Sequence, residues 1–351
     1  MLRWFIRVFV VLLVLSGVAG FAGYRMLSQP FRSFEGERML EIERGSTSRQ
    51  IAQQLATAGV IRNEWVFLAA RALDRDTILQ AGEYQFLDAS TVWQVIEKLR
   101  KGEVYTYEFT IPEGSNIWDI ARTLESRGIM KEKDFLAAAS NPSMVQDIDP
   151  NAESLEGYLF PATYRLSRRT TAEELCRMMV ENFKRQWKQI GGESSPHDMV
   201  TLASLVEEET GVSEERGLVA GVFANRLKKG IQLACDPTVV YASRLMGKFK
   251  GTIYKADLKR DHPYNTYVRH GLPPGPISNP GKAAIEAAIH PAATNAIYFV
   301  AKPDASGHIF SATLAAHTRA VQNYRSALAA AKAAKAAEAD VVIAAETVQA
   351  N

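Results

Sequence analysis

Three consecutive glutamates, Glu207–Glu209, are the residues of this chain with the clearest potential for chemistry. A carboxyl group can donate or accept a proton during a reaction, and its environment decides which of the two it does near neutral pH. The apolar periodicity around the run predicts a helix from about residue 196 to 210, with Ser195 and Pro196 as the cap and the first-turn proline. Because successive helix residues are rotated by about 100°, the carboxyl groups of the run point in different directions.

The position of each carboxyl group on this helix predicts its surroundings. Glu209 follows Leu202 and Leu205 at helical spacing and continues the apolar stripe. Glu208 belongs to the polar face, and Glu207 lies at its edge. Partial burial and the negative potential of the helix C-terminus both raise the pKa of Glu209, which favours the protonated carboxyl group needed by a general acid in glycosidic bond cleavage. The alternative interpretation is an acidic cluster on a solvated face.

Polar and aromatic residues in the following Pro- and Gly-rich segments are candidates for substrate binding. With the glutamate run, the candidates are Glu207, Gln232, Asp236, Asn265 and Tyr267. Amide groups can hydrogen-bond sugar hydroxyls, and aromatic rings can stack on sugar faces. Asp236 or Glu207 could also supply the second carboxylate that a hydrolytic glycosidase requires. Ordinary Pro and Gly turns are the alternative for the loop residues of this set.

Composition excludes several classes of protein. The 351 residues carry a net charge of +2, with 47% hydrophobic and 23% charged residues, so no global basic field indicates a nucleic-acid partner. The six histidines are scattered without ligand spacing, and no phosphate loop or dinucleotide fingerprint occurs, so we expect neither a metal site nor a cofactor. Cys176 and Cys235 are too few for a disulfide-dense scaffold, and the sequence leaves open whether they pair.

An apolar segment near the N-terminus predicts a membrane anchor. Its core from Val8 to Tyr24 carries no charge, and flanking apolar residues extend it toward the length of a membrane-spanning helix. We therefore predict a cytoplasmic N-terminus at residues 1–7, a transmembrane anchor at 8–27, and all later domains on the far side of the cytoplasmic membrane. A cleaved signal peptide is the alternative, but the apolar run is longer than a usual signal core.

Residues 39–140 contain two similar segments. In the first, an alternating stretch at Leu40–Ile42 leads through Gly45 into an amphipathic helix. In the second, Phe109–Ile111 leads through Gly114 into a comparable helix. A further strand and a further capped helix are predicted between them, over residues 81–86 and 91–99. The two β-turn-α copies resemble LysM glycan-binding repeats, although such a unit can also serve packing alone.

The rest of the chain divides into a larger domain and a tail. Residues 154–325 combine longer helices with Pro- and Gly-rich loops and predict a catalytic domain. The Ala-rich tail at 326–351 predicts a helical or disordered extension without chemistry. The predicted fold class is α+β, with an N-terminal transmembrane helix, a small LysM-like α+β region with duplicated β-turn-α units, and a larger mixed α+β catalytic domain.

Four sequence blocks occur together and in order in the predicted catalytic domain. They are Glu156–Pro161, Ala203–Thr210, Asp236–Tyr241, and Tyr264–Tyr267 followed by Gly271–Gly275. With the N-terminal anchor and the LysM-like region, they make the chain resemble the endolytic murein transglycosylase family, the membrane-anchored MltG or YceG-like proteins. The resemblance extends over nearly all of residues 1–325.

This resemblance implies an activity, a location and a catalytic residue. A lytic transglycosylase of this family cuts peptidoglycan strands between N-acetylmuramic acid and N-acetylglucosamine, leaves 1,6-anhydromuramic acid ends and terminates nascent strands beside the inner membrane, in the periplasm. The catalytic glutamate would be the one in the Glu-Thr pair, which is Glu209, and cell-wall synthases are partners compatible with that role. One departure is Ala162, where the family often has an acidic residue after the Phe-Pro pair of the first block.

Two other functions stay open on the sequence alone. The chain could be a membrane-tethered, non-catalytic peptidoglycan-binding scaffold, or a muramidase that hydrolyses the same bond. The products of digestion distinguish these possibilities: anhydro ends indicate the transglycosylase, reducing ends the muramidase, and no new ends the scaffold.

Overall fold

The computed structural model describes residues 2–74, 77–191 and 196–330. The predicted cap Ser195 and residues 331–351 of the predicted tail lie outside the described residues. The chain forms two compact units, the first made of Met1–Phe109 and Arg165–Thr170, the second of Thr110–Tyr164 and Thr171–Asn351.

The described residues form a mixed α+β structure, which confirms the predicted class. The helices are α1 (Leu2–Ser28), α2 (Ser48–Thr57), α3 (Glu64–Leu73), α4 (Val92–Lys101), α5 (Ile117–Ser126), α6 (Glu132–Ala139), α7 (Ala172–Ile190), α8 (His197–Glu209), α9 (Arg216–Lys228), α10 (Asp236–Leu245) and α11 (Lys282–Ile289). The strands are β1 (Arg38–Ile42), β2 (Gly82–Phe86), β3 (Tyr107–Thr110), β4 (Thr163–Leu166), β5 (Tyr298–Ala301) and β6 (His308–Ser311). Residues 314–330 are also helical.

Helix α1 contains the apolar segment that the sequence predicts to be an anchor. Its stretch Ile6–Ser28 is 23 residues long with a mean hydropathy of 2.2 and is not buried within the protein. That length suffices to cross the hydrocarbon core of a bilayer. The helix is therefore compatible with a single-pass membrane anchor.

The first unit builds its core between a two-stranded sheet and helices α2, α3 and α4. Strands β1 and β2 pair antiparallel, from Arg38 opposite Phe86 to Ile42 opposite Gly82. The caps of α2 and α4 are capping boxes, in which Thr47 and Thr91 each exchange hydrogen bonds with the glutamine three residues later. These elements agree with the predicted strand at 81–86 and the predicted helix at 91–99.

The two β-turn-α segments have the same order of elements but belong to different units. The first runs from β1 through Gly45 at φ +83° into α2, and the second from β3 through Gly114 at φ +76° into α5. Both glycines adopt the left-handed conformation that a side chain disfavours. The first segment lies in the first unit, and helix α5 of the second segment lies in the second unit.

Helix α8 forms the centre of the second unit. It packs against α9, α10 and α11. Every residue from Val200 to Val206 is buried, including Thr201 and Ser204. The polar side chains of Thr201 and Ser204 therefore face other parts of the protein rather than water.

One local expectation differs from the structure. Asp236–Tyr241, expected in a Pro- and Gly-rich loop region, forms the beginning of helix α10, because a proline is favourable in the first turn of a helix. Between α8 and α9, Ser213 begins a short 3-10 turn, and its hydroxyl accepts a hydrogen bond from Arg216.

Candidate active site

The C-terminal end of α8 places the three consecutive glutamates in three different environments. Glu209 is the last residue of the helix, and Thr210 follows it in an extended conformation. All three side chains belong to the second unit. Their different partners determine which of them is available for chemistry.

Glu207 is bound inside the protein. Its Oε1 accepts a hydrogen bond of 2.9 Å from Nη2 of Arg216, and its Oε2 accepts one of 2.9 Å from the backbone N–H of Gly281. The Glu207 side chain is only 6% exposed and that of Arg216 only 9%. Both carboxylate oxygens of this candidate substrate-binding residue are therefore occupied by the protein itself.

Glu208 faces a cavity of about 260 Å³, which we call the Glu208 cavity. The cavity is lined by Asn116, Asp119, Glu208, Asp236, Pro237, Val240, Tyr241, Arg244 and Ile277. Burial raises the pKa of Glu208 to about 7, against the opposing effect of a hydrogen bond from Ser278. Near neutral pH this carboxyl group is consequently divided between its two protonation states.

Glu209 is partly exposed and has a mostly desolvated carboxyl group. Burial raises its pKa, and the charge of Asp236 acts in the same direction. The thiol of Cys235 donates a hydrogen bond to the carboxyl group and, with the nearby His308 and Arg226, opposes this rise. The net effect favours the protonated carboxylic acid, which a general acid requires.

Among the other predicted binding residues, the structure brings Asp236 and Tyr267 together. The hydroxyl of Tyr267 donates a hydrogen bond to Oδ1 of Asp236, which lines the Glu208 cavity. Gln232 is partly exposed. Asn265 is buried, and its amide group donates to the backbone carbonyl groups of residues 257, 258 and 260. Asn265 therefore stabilises its own loop instead of facing the cavity.

Sequence reasoning missed the wall that α5 contributes to the Glu208 cavity. Asn116 caps α5, and Asp119 lies in its first turn. Nη1 of Arg244 donates to Oδ1 of Asn116 and to Oδ1 of Asp119, both at 3.0 Å. The sequence shows Asn116 only as part of a β-turn-α copy, and no local signal connects it with Arg244 more than a hundred residues later.

Glu156 is a second group beside the cavity that sequence reasoning did not assign. It is buried and accepts hydrogen bonds from the backbone N–H of Ile117 (3.1 Å), the amide of Asn279 (2.9 Å) and the hydroxyl of Tyr241 (3.3 Å). Glu156 thereby connects three chain segments, one of which holds the cavity residue Tyr241. Burial raises its pKa to about 8 despite these hydrogen bonds.

We expect Glu156 to make the stability of the protein depend on pH. Its pKa in the folded state, about 8, is above the ordinary value of 4.5, so the folded protein binds more protons than the unfolded chain between these values. The free energy of unfolding should therefore fall by up to about 1.4 kcal/mol per pH unit as the pH rises from about 5 to 8. Glu156→Gln, which cannot ionise, should flatten the dependence of Tm on pH over this range.

A matched control for this measurement is Glu181→Gln on the exposed face of α7. Glu208 and Glu209 contribute slopes of the same sign, so the difference between the wild type and Glu156→Gln isolates the contribution of Glu156. Parallel curves of Tm against pH for the wild type and Glu156→Gln would contradict the assignment of this pH dependence to Glu156.

Neither cysteine is in a disulfide, and the described residues contain no cluster for a metal ion. Cys176 and Cys235 are both buried free thiols. Within the described ranges, no group of three or more His, Cys, Asp or Glu side chains is placed to hold a metal.

Comparison with known proteins identifies relatives along most of the chain. The sequence model of the YceG-like family matches residues 40–323. A protein of Bacillus subtilis (strain 168) named endolytic murein transglycosylase is 33% identical over 308 residues, covering 81% of this chain and 84% of that protein. A protein of the same name from Streptococcus pneumoniae serotype 2 (strain D39 / NCTC 7466) is 30% identical over 334 residues, covering 85% of this chain and 61% of that protein. The crystal structure of a yceG-like protein from Listeria monocytogenes aligns with a TM-score of 0.54 at 32% identity, covering 82% of this chain and 99% of that one.

Proposed function

The chain belongs to the YceG-like family, and we propose that it is an endolytic murein transglycosylase that cuts the glycan strands of peptidoglycan with Glu209 as its catalytic acid. Two relatives carry this name. The observation that supports the role of Glu209 is its position: it ends the buried helix α8, is partly exposed, and has a pKa raised by burial. This combination favours a protonated carboxyl group on a side chain that is still partly accessible to solvent.

The proposed reaction uses one carboxyl group twice. Glu209 donates its proton to the glycosidic oxygen between N-acetylmuramic acid and N-acetylglucosamine, and the bond from the muramyl C1 to that oxygen breaks. The N-acetyl group of the substrate stabilises the oxocarbenium-like centre at C1. The Glu209 carboxylate then takes the proton of the C6 hydroxyl, whose oxygen bonds to C1 and closes the 1,6-anhydro ring. Bonds and protons balance without water.

The partners of Glu207 argue against it as the acid. Glu207 is paired with Arg216 and bonded by Gly281, so a proton on it would disrupt a buried ion pair. For the same reason Glu207 is a poor candidate for the second carboxylate of a muramidase. Asp236, the other candidate, already accepts a hydrogen bond from Tyr267. The contacts of Glu207 therefore leave Asp236 as the candidate for a hydrolytic second carboxylate, and the products of digestion decide between the two reactions.

In the proposed arrangement, helix α1 anchors the protein in the inner membrane with a cytoplasmic N-terminus and a periplasmic catalytic domain. The apolar stretch Ile6–Ser28 supports the anchor. There the enzyme would act on nascent strands close to cell-wall synthases, and would terminate their elongation.

The first β-turn-α segment offers a groove that fits the proposed LysM-like role. A cavity of about 550 Å³ lies along β1 and α2 and is lined by Arg38, Met39, Leu40, Glu41, Glu43, Ser46, Gln50, Gln53, Gln54, Thr57 and Ala58. Oε1 of Gln54 is buried and has no hydrogen-bond partner among the described residues. An unpaired amide oxygen in such a groove suits a sugar hydroxyl or N-acetyl N–H as donor.

Digestion of purified glycan strands by the full-length protein tests the proposed reaction. We expect new ends that carry 1,6-anhydromuramic acid and are lighter than reducing ends by one water molecule, as measured by mass spectrometry. Reducing ends would establish the muramidase instead. Binding to the strands without any new ends would establish the non-catalytic scaffold.

A further inference from the structure

A second cavity adjoins the Glu208 cavity and has no role in the reaction described above. It measures about 280 Å³ and is lined by Trp118, Arg122, Glu132, Arg244, Gly247 and Phe249, and we call it the Trp118 cavity. Arg244 lines both cavities, so they are neighbours along one surface of the second unit. A substrate bound in the Glu208 cavity can therefore extend a substituent into the Trp118 cavity.

The two cavities differ in charge. Three carboxyl groups line the Glu208 cavity, those of Asp119, Glu208 and Asp236, and Arg244 is the cation beside them. Such a lining tolerates the neutral hydroxyl and acetamido groups of a sugar but repels an anion. A negatively charged substituent of the same substrate needs another place.

The Trp118 cavity provides guanidinium groups for an anion. Arg122 and Arg244 both bind the same oxygen of Asp119, so one carboxylate is shared between two cations. Within the described part of the chain, the hydrogen bonds of Arg244 to Asn116 and Asp119 both come from Nη1. Its Nε and Nη2 are left to donate to a carboxylate, the pair of donors that guanidinium groups use for bidentate binding. Glu132 contributes one opposing charge.

The loop after α10 adds an aromatic wall to this cavity through Phe249. Lys248 and Lys250 flank Phe249 in the sequence. The guanidinium of Arg244 lies 5.3 Å from the centre of the Phe249 ring. Trp118 is partly exposed and contacts Tyr241 of the neighbouring cavity, with 5.1 Å between the ring centres. The cavity thus combines two aromatic walls with guanidinium donors, which suits a short apolar chain that ends in a carboxylate.

We propose that the Trp118 cavity binds the peptide stem of a muramyl residue, with Arg122 and Arg244 pairing to a stem carboxylate and with Trp118 and Phe249 packing against its small side chains. The inference rests on the proposed function, because it assigns a substituent of that same substrate. The stem is attached to the muramyl sugar through its lactyl ether, so it leaves the strand close to the bond that is cut. The enzyme then prefers strands that carry peptides to bare strands.

A comparison of two substrates tests this subsite. Full-length protein in detergent is given glycan strands with their peptide stems, and the same strands after an amidase has removed the stems. We expect the wild-type kcat/KM to be about tenfold higher on the peptide-bearing strands, which equals the effect of about 1.4 kcal/mol of additional binding. Arg122→Gln and Phe249→Ala should each bring the ratio of the two kcat/KM values close to one.

The control variant is Lys133→Gln, which removes a positive charge from an exposed position of α6 outside the cavity lining. It should keep the wild-type ratio. Arg244 is not a suitable test, since it lines both cavities and holds Asn116 and Asp119. Thermal unfolding of each variant shows whether the second unit remains folded.

A direct binding measurement separates the subsite from the reaction. A soluble N-acetylmuramoyl dipeptide with a free carboxylate is titrated into the full-length Glu209→Gln protein, and the amidated dipeptide serves as its neutral counterpart. If the subsite exists, the dipeptide with the free carboxylate binds more tightly than the amidated dipeptide. This difference should be lost when Arg122→Gln is added to the Glu209→Gln protein. Equal affinities for the two dipeptides overturn the subsite, and so does a wild-type kcat/KM that is the same on peptide-bearing and bare strands. Absence of cleavage on both strands overturns the proposed function, while the titration still decides the subsite.

Discussion

Replacement of Glu209 by glutamine is expected to lower the rate of strand cleavage by about 10³-fold, within the range for loss of a general acid. Glutamine has nearly the same shape and can still accept the hydrogen bond of Cys235, but it has no acidic proton for the glycosidic oxygen. The measurement is the rate at which anhydromuramyl ends appear in purified strands, followed by chromatography and mass spectrometry. Because the change removes no packing volume, Tm should stay close to that of the wild type.

The chain offers matched controls for this experiment in the two preceding residues. Glu208→Gln makes the same chemical change on the wall of the Glu208 cavity, and Glu207→Gln makes it in the ion pair with Arg216. We expect Glu208→Gln to lower the rate by less than about tenfold, because it disturbs substrate contacts rather than proton transfer. An inactive Glu208→Gln protein together with an active Glu209→Gln protein would move the acid to Glu208, whose pKa of about 7 also leaves it partly protonated.

The second large effect concerns stability. Arg216→Met leaves Glu207 as a buried carboxylate without its cation, and we expect it to lower the free energy of unfolding by about 3 kcal/mol. For a unit of this size the change corresponds to a fall in Tm of about 6–12 °C. Thermal unfolding of the detergent-solubilised protein, followed by circular dichroism, measures it. Arg216 also donates to Ser213, and this bond is lost in the same variant.

A double variant distinguishes the ion pair from simple loss of packing. In Glu207→Gln combined with Arg216→Met, neither residue carries a charge, so much of the lost stability should return. Additive losses in the two single variants would contradict the buried pair. Arg122→Met, which removes an exposed arginine on α5, is the control and should change Tm by only a degree or two, because surface ion pairs contribute little.

Local signals in the sequence were sufficient for many of the elements. The caps at Thr47 and Thr91, the glycines at positions 45 and 114 and the 3.6-residue periodicity of α8 all act within a few residues, so they determine helices and turns without tertiary contacts. The long apolar run of α1 likewise follows from composition alone. The four sequence blocks that resemble the family are likewise recognised from residue type and spacing alone.

Only the tertiary structure decided which partner each carboxyl group meets. Periodicity separated Glu207, Glu208 and Glu209 by direction, but the polar positions Thr201 and Ser204 are buried while Glu208 is exposed, so the polar face is solvated only in part. The pairing of Glu207 with Arg216, the cavity next to Glu208 and the burial of Asn265 in its own loop depend on segments that are distant in the chain. The sequence by itself determined the family, the apolar N-terminal segment and the candidate acid, since these depend on residue type and spacing. The folded chain determined the charge environment, because desolvation and hydrogen bonding arise only when separate segments pack together.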